Sequence, residues 1–355
     1  MTGVSLDTGA GSLLVVGNLL GPGRGGTQVA GELAARLAQR GWRVFATSRW
    51  RARPVRLLDM LATAWQFRNR YELAHVDVFS GRAFLWAEAV TLLLRRLRKP
   101  YVLTLRGGGL PEFAQRWPRR VGRLLRPAPA VTAPSRYLLE RMAPYRADIR
   151  LIPNAIEVGR YRFRLRSAPE PRLTWLRAFH RIYNPELAPS VLRFLLAEFP
   201  EAKLAMVGTD KGDGSRKRTA DVAARLGLGD RVELLDGVPK DSVPSVLDEA
   251  DLFLNTTNVD NTPVSVIEAM ACGLCIVSTN VGGIPYLLDH ERDALLVPPD
   301  DAEAMAAAVR RILTEPGLAA RLSENARRKA EQFDWSIVLP QWEQLLLEVA
   351  ERGSS

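Results

Sequence analysis

Two carboxylates, Asp260 and Glu268, lie in the stretch NTTNVDNTPVSVIEAMACGLCIVSTNVGGIPYLL, residues 255–288, with seven residues between them. Pro263 is a residue type favoured in the first turn of a helix, so the spacing predicts a helix beginning near it. Asp260 then stands on the preceding loop, and Glu268 lies about one and a half turns into the helix. Each carboxylate is placed to accept hydrogen bonds from vicinal hydroxyls. Between them, the unpaired N–H groups around Val264 and Ser265, at the positive end of the helix dipole, suit a phosphate. The chemistry this pattern serves is recognition of a ligand that carries both hydroxyls and phosphate.

A second glycine-rich stretch, GNLLGPGRGGTQ, lies near the start. Gly21, Gly23 and Gly26 satisfy G-x-G-x-x-G, but the match begins four residues late for the tight strand-to-helix turn of a dinucleotide fingerprint. No acid closes the next strand to hold a ribose; Ser48 and Arg49 stand there, and Arg49 would suit only a 2′-phosphate. Gly25 and Gly26 would let a phosphate or sugar approach the following helix N-terminus, or serve the turn alone. Cys272 and Cys275 form a C-x-x-C that offers two ligands and has no neighbouring histidine, which reads as small buried residues rather than a metal centre. The only histidines are His75, His180 and His290, too few for a multi-histidine site, and no metal is expected. His75 reads as structural, His290 as lacking a partner, and Asn154 as fixing a turn.

The chain that must position these groups has 355 residues, enough for two domains, with 47% hydrophobic and 25% charged residues, an ordinary globular composition. Two cysteines exclude a disulfide scaffold and fit a reducing compartment. No apolar run reaches the length of a membrane span, and the start has no basic region before an apolar stretch, so neither a span nor a signal peptide is expected. The net charge of +10 is uneven: residues 1–170 carry 29 Lys and Arg against 11 Asp and Glu, a net of +18, and the remainder is net −8. Either the first half is a solvated basic face, or it meets something anionic: a bilayer, a phosphate-bearing acceptor or a nucleic acid. No recognised nucleic-acid motif accompanies the charge.

Short apolar runs alternate with helical segments from end to end: LLVV, WRVFATS, AHVDVF, YVLTL, AVTA and IRLI, then RLTWL, KLAMVG, RVELLDG, LFLNTT, CIVST and ALLVP. In TQVAGELAARLAQRG, the residues Val29, Leu33, Ala34 and Leu37 form one stripe and Gly41 stops the helix. Such alternation predicts parallel sheets covered on both faces: an α/β chain of two doubly wound, Rossmann-like domains facing across a cleft. The expected boundaries are 1–165, 166–335 and a C-terminal helix over 336–355, with a proline- and arginine-rich linker from about Pro153 to Pro171.

At this point the string EAMACGLCIVSTNVGGIP resembles the nucleotide-sugar signature of glycosyltransferase family 4, retaining enzymes of the GT-B architecture. RGGTQVAGELAARLAQRGWRV, VLTLRGG, APSRYLLERM and LIPNAIE extend the resemblance over nearly the whole chain in the expected order. It implies an acceptor-binding first domain, a donor-binding second domain, a final helix returning to the first, and Asp260 and Glu268 as the paired acids on donor sugar and ribose. Three departures stand out. The first acid is aspartate where the family has glutamate. Arg177 is kept to grip the leaving diphosphate, but Ile182 fills the slot of a lysine, leaving His180 or Arg181 to substitute. Arg106 stands where a His-Gly pair is usual.

The resemblance implies a sugar moved from a nucleoside diphosphate to a glycan, lipid-linked or polysaccharide acceptor without a metal, since no Asp-x-Asp pair is present. Arg177, Asp260 and Arg106 are the candidate catalytic residues. Gly25, Gly26, Arg177, Arg181, Asp260, Pro263, Val264, Ser265 and Glu268 are the candidates for binding the donor. An epimerase or hydrolase of the same fold, and a donor-binding protein without turnover, are the alternatives. The segment 82–99, RAFLWAEAVTLLLRRLRK, reads as a helix with an apolar stripe of Phe84, Leu85, Ala89, Leu92 and Leu93 packed on the sheet. Its basic end, Arg95, Arg96, Arg98 and Lys99, would face an anionic membrane surface, which implies a cytoplasmic protein bound peripherally.

Overall fold

The computed structural model describes residues 11–17, 19, 28–48, 50 and 52–354. They divide into two units: the first takes the described residues up to Pro153 together with those from Ser336 onward, and the second runs Asn154–Trp335.

In the first unit six parallel strands, β1 (Ser12–Val16), β2 (Arg43–Thr47), β3 (Leu73–Val78), β4 (Tyr101–Leu105), β5 (Ala130–Ala133) and β6 (Arg150–Leu151), lie in the order β2-β1-β3-β4-β5-β6. The central strands β1, β3, β4 and β5 are almost wholly buried because helices cover both faces, whereas the edge strands β2 and β6 are partly exposed. The helices are α1 (Gln28–Gln39), α2 (Arg53–Gln66), α3 (Phe84–Arg96), α4 (Leu110–Arg116), α5 (Pro118–Leu125) and α6 (Arg136–Met142). On α1 the expected stripe holds, with Leu33, Ala34 and Leu37 buried, and Gly41 takes φ +90° just beyond it.

The second unit repeats the plan with β7 (Arg172–Leu176), β8 (Lys203–Val207), β9 (Val232–Leu235), β10 (Leu252–Asn255), β11 (Cys275–Thr279) and β12 (Leu295–Val297), in the order β12-β11-β10-β7-β8-β9. Its helices are α7 (Leu187–Leu195), α8 (Ser215–Arg225), α9 (Val243–Asp248), α10 (Val264–Cys272), α11 (Ile284–Leu287), α12 (Ala302–Thr314) and α13 (Leu318–Ala330). The last helix, α14 (Trp335–Ser354), belongs from Ser336 on to the first unit. There Glu343 meets Arg40 at 3.4 Å, Glu348 meets Arg150 at 2.6 Å, and Trp342 sits edge-on to His75 with ring centroids 5.3 Å apart.

Two expectations are corrected here. Residues 154–165, assigned from sequence to the first domain, belong to the second unit. Ile156 N–H donates to Phe333 O at 2.9 Å, Trp335 N–H donates back to Ile156 O at 3.1 Å, and Val158 N–H donates to Asp334 at 2.8 Å. The arginines that make the segment look like a solvated linker are anchors: Arg164 and the fully buried Arg166 both reach Asp251, at 2.5 and 3.4 Å. The second correction concerns α3. Its buried stripe is Phe84, Ala87, Val90, Thr91 and Leu94, whereas Leu85 and Leu92 face solvent. At its basic end Lys99 is tied back, its ammonium donating to Tyr71 O at 2.8 Å, while Arg95, Arg96 and Arg98 are exposed. Among the described residues, no helix is long and apolar enough to cross a membrane.

Candidate functional site

In the second sheet the chain order reverses between β7 and β10. A doubly wound sheet takes its ligand at the carboxyl ends of its strands beside such a reversal, where neighbouring loops part. Arg177 is the first residue after β7, and Asp260 lies on the loop after β10. The structure brings these two side chains together in an ion pair between Arg177 Nη2 and Asp260 Oδ2, with 18% and 11% of the side chains exposed. The Arg177 guanidinium also stacks on Tyr183, 4.4 Å from the ring centroid. Burial works against its charge, but Asp260, Tyr183 and Glu268 outweigh that effect and hold its pKa above the ordinary range.

The loop carrying Asp260 is held from below. Asp260 Oδ1 accepts from Asn261 N–H at 2.8 Å, and Asp260 O accepts from Gly283 N–H at 3.0 Å. The glycine pair of the signature is required by this approach: a Cβ on Gly282 would lie 2.3 Å from Asp260 O, and one on Gly283 would lie 2.0 Å from Asn261 O. Gly208, after β8, is fixed in the same way, since a Cβ there would lie 1.6 Å from Arg177 O. Asn154, read from sequence as fixing a turn, is buried and its amide donates to Thr262 O at 3.2 Å on the same loop.

Helix α10 begins at Val264, with Pro263 in the capping position just before it rather than inside the first turn. Glu268 is buried on this helix and accepts from Tyr161 Oη at 2.8 Å. Ser265 Oγ, Arg177 Nε and Asn258 Oδ1 are buried polar atoms without a hydrogen-bond partner among the described residues. Buried polar atoms are seldom left so. Three of them beside a reversal of strand order suit a polar ligand.

The other sequence candidates separate. Arg181 is exposed; its backbone N–H donates to Asp213 at 2.9 Å and its carbonyl accepts from Asn184 N–H at 3.2 Å, while Ile182 is exposed in the lysine slot. His180 uses Nδ1 to accept from Ile182 N–H at 3.2 Å. Arg106 belongs to the first unit, directly after β4, where its Nε donates to Asp77 Oδ1 at 2.9 Å and both side chains are buried. Gly25 and Gly26, like Gly21, Gly23 and Arg49, lie outside the described residues. Both cysteines are buried free thiols that burial pushes up to about 12, and no group of three or more metal-ligating side chains gathers among the described residues. His290 does have partners: its Nδ1 accepts from Leu296 N–H at 2.9 Å, and Nε2 lies 3.7 Å from Glu291.

Sequence reasoning missed Tyr161, Tyr183 and Lys211. Tyr161 is 107 residues from Glu268, beyond any local pattern. Tyr183 follows Arg177 closely enough that a cation–aromatic pair was a readable signal. Lys211 lies on the loop after β8, which runs alongside the Arg177 segment: Phe179 N–H donates to Thr209 O at 2.9 Å and Lys211 N–H to Phe179 O at 3.2 Å. Burial lowers the Lys211 pKa.

Comparison with known proteins bears on this arrangement. A family model described as "Glycosyl transferases group 1" matches residues 164–329, and one described as "Glycosyltransferase Family 4" matches residues 23–160. Among curated relatives, a D-inositol 3-phosphate glycosyltransferase of Thermobispora bispora is 26% identical over 84% of this chain and 77% of its own length. Another of that name from Rhodococcus jostii is 32% identical over 54% of this chain but only 45% of its own length, so that match spans less than half of the relative. Among solved structures, sucrose-phosphate synthase from Thermosynechococcus elongatus superposes with a TM-score of 0.81 at 22% identity, covering 95% of this chain and 98% of that one. Anabaena HepE in complex with UDP-glucose gives 0.77 at 18%, covering 95% and 99%. These likenesses show the fold, which is GT-B. With both halves matched in order by the two models, the chain belongs to the group 1, family 4 glycosyltransferases.

Proposed function

We propose that the protein transfers a sugar, with retention of configuration and without a metal, from a nucleoside diphosphate to a hydroxyl of a glycan, lipid-linked or polysaccharide acceptor. The observation that carries the reading is the convergence of Arg177, Asp260, Glu268 and the start of α10 at the carboxyl edge of one sheet. When the bond between the anomeric carbon and the phosphate oxygen breaks, charge develops on the departing diphosphate. Arg177 and the N–H groups of Val264 and Ser265 are preorganised to receive it. Asp260 and Glu268, both carboxylates in partly desolvated settings, accept from donor hydroxyls. The names of the relatives support an acceptor that carries phosphate, and the basic first half of the chain is complementary to one.

The test is release of nucleoside diphosphate that depends on acceptor, with the anomeric configuration of the product read by NMR. Donor breakdown without acceptor selects the hydrolase or epimerase alternative. A second reading, donor binding without turnover, is favoured by one observation, the exposed Ile182 in the place of a cation. Saturable donor binding with no release under any acceptor would establish it.

A further inference from the structure

Helix α2 has two apolar faces, and only one is covered. Met60 and Ala64 are buried in the first unit's core. The opposite side presents Val55, Leu58, Ala62 and Trp65, spaced three, four and three residues apart on one exposed stripe, and Trp50 stands exposed just before the helix. Leu58 is 66% exposed, Trp50 58%, Trp65 54% and Val55 42%, values expected of polar side chains rather than of two tryptophans, a leucine and a valine.

The charges around the stripe are mostly basic, and the two acids nearest it are engaged. The single acid of α2, Asp59, accepts from Thr47 Oγ1 at 2.7 Å. Exposed Arg53 stands at the start of the helix, and beyond its end the Arg68 guanidinium stacks 4.5 Å from the centroid of the Trp65 ring. The neighbouring α3, joined to α2 through the Arg56 guanidinium 5.1 Å from the Trp86 ring, adds exposed Leu85 and Leu92, with Glu88 between them paired to Arg120 at 2.5 Å, and then Arg95 and Arg96. A second copy seated on this face would set arginine against arginine, since the acids beside it, Asp59 and Glu88, are already engaged with Thr47 and Arg120. An anionic bilayer meets both requirements at once: its headgroups pair with the arginines, and the headgroup–acyl boundary takes the apolar stripe, with tryptophans at both ends where amphipathic rings settle.

We propose that the outer face of α2, flanked by α3, seats the first unit on an anionic membrane, with the helix lying in the interface. This moves the membrane contact expected from the basic end of α3 onto its neighbour, and it goes beyond the transfer reaction, since the binding needs no turnover. The experiment is co-sedimentation of the full chain with phosphatidylcholine vesicles, with and without phosphatidylglycerol. It compares wild type, Leu58→Gln/Trp65→Gln and Arg95→Gln/Arg96→Gln, with thermal melts to confirm folding. Wild type is expected to sediment with the anionic vesicles at low salt and to be released at high salt. The α2 variant should bind at least about tenfold more weakly at an unchanged melting temperature, and the arginine variant should lose part of its salt dependence. Wild type that ignores both vesicles, or an α2 variant that binds like wild type, would overturn the proposal. So would wild type that is a dimer split by the α2 variant without any vesicle binding, which would make the face a contact between copies. Donor binding measured on the same samples reports separately on the transferase reading.

Discussion

Arg177 meets an acid on one side and an aromatic ring on another, and one of its nitrogens, Nε, has no partner among the described residues. On the proposed reading, this cation exchanges part of its pairing with Asp260 for the departing diphosphate. Arg177→Ala should therefore lower turnover by about 10²-fold or more, and Arg177→Lys should restore only part of it, because an ammonium lacks the planar fork. Steady-state rates of nucleoside diphosphate release check this; an alanine variant within a factor of about two of wild type would reduce the arginine to a surface residue. On the same reading the acids act on binding. Asp260→Asn and Glu268→Gln should weaken nucleotide-sugar affinity by calorimetry, since an amide oxygen is a poorer acceptor for sugar hydroxyls than a carboxylate. For Asp260→Asn the loss should be confined to the sugar-bearing donor. The free nucleoside diphosphate should bind as well or better once the carboxylate no longer competes for Arg177. Equal losses for both ligands would place Asp260 away from the sugar.

The site depends on loops that approach one another as bare backbone. Gly283→Ala should cost roughly 1–3 kcal/mol of stability and weaken donor binding together, because the added methyl must displace Asn261 and with it the Asp260 loop. Unchanged melting and affinity would show that the loop yields freely. At this scale much was legible in the sequence. All twelve strands overlap the runs read from sequence, because the central parallel strands are buried on both faces and read as continuous apolar runs. The start of α10 was legible from Pro263. What escaped was set by tertiary packing. On α3, apolar residues occur on several sides, so periodicity could not tell the covered Ala87 and Val90 from the exposed Leu85 and Leu92. The segment after Pro153 looked like a linker because arginine and proline suggest solvent, yet Arg166 is buried against Asp251, far along the chain. Tyr161 was hidden by the same distance.

Over the whole chain, one α/β plan is used twice with opposite charge, and the last helix returns to the first unit beside its sheet. That return involves a buried titratable group. Burial pushes the His75 imidazole down to about 4, with Asp77 opposing and Arg106 adding to the shift, and Trp342 of α14 lies against the ring. Between about pH 4 and 6.5 the unfolded chain binds a proton that the folded one refuses, so this contribution to stability is complete above about pH 6.5 and declines as pH falls. The loss approaches roughly 3 kcal/mol near pH 4. His75→Gln should flatten this part of the pH dependence of the melting temperature, and an unaltered slope would assign it to other groups. The central claim is that the carboxyl edge of the second sheet takes a nucleotide sugar. The most direct measurement is titration of the purified protein with UDP-, GDP-, ADP- and dTDP-sugars, each against wild type and Arg177→Ala. The account predicts that wild type saturates with a donor of one base and that the variant binds this donor at least about tenfold more weakly. Saturation that is indifferent to Arg177, or none with any of the four, would contradict it.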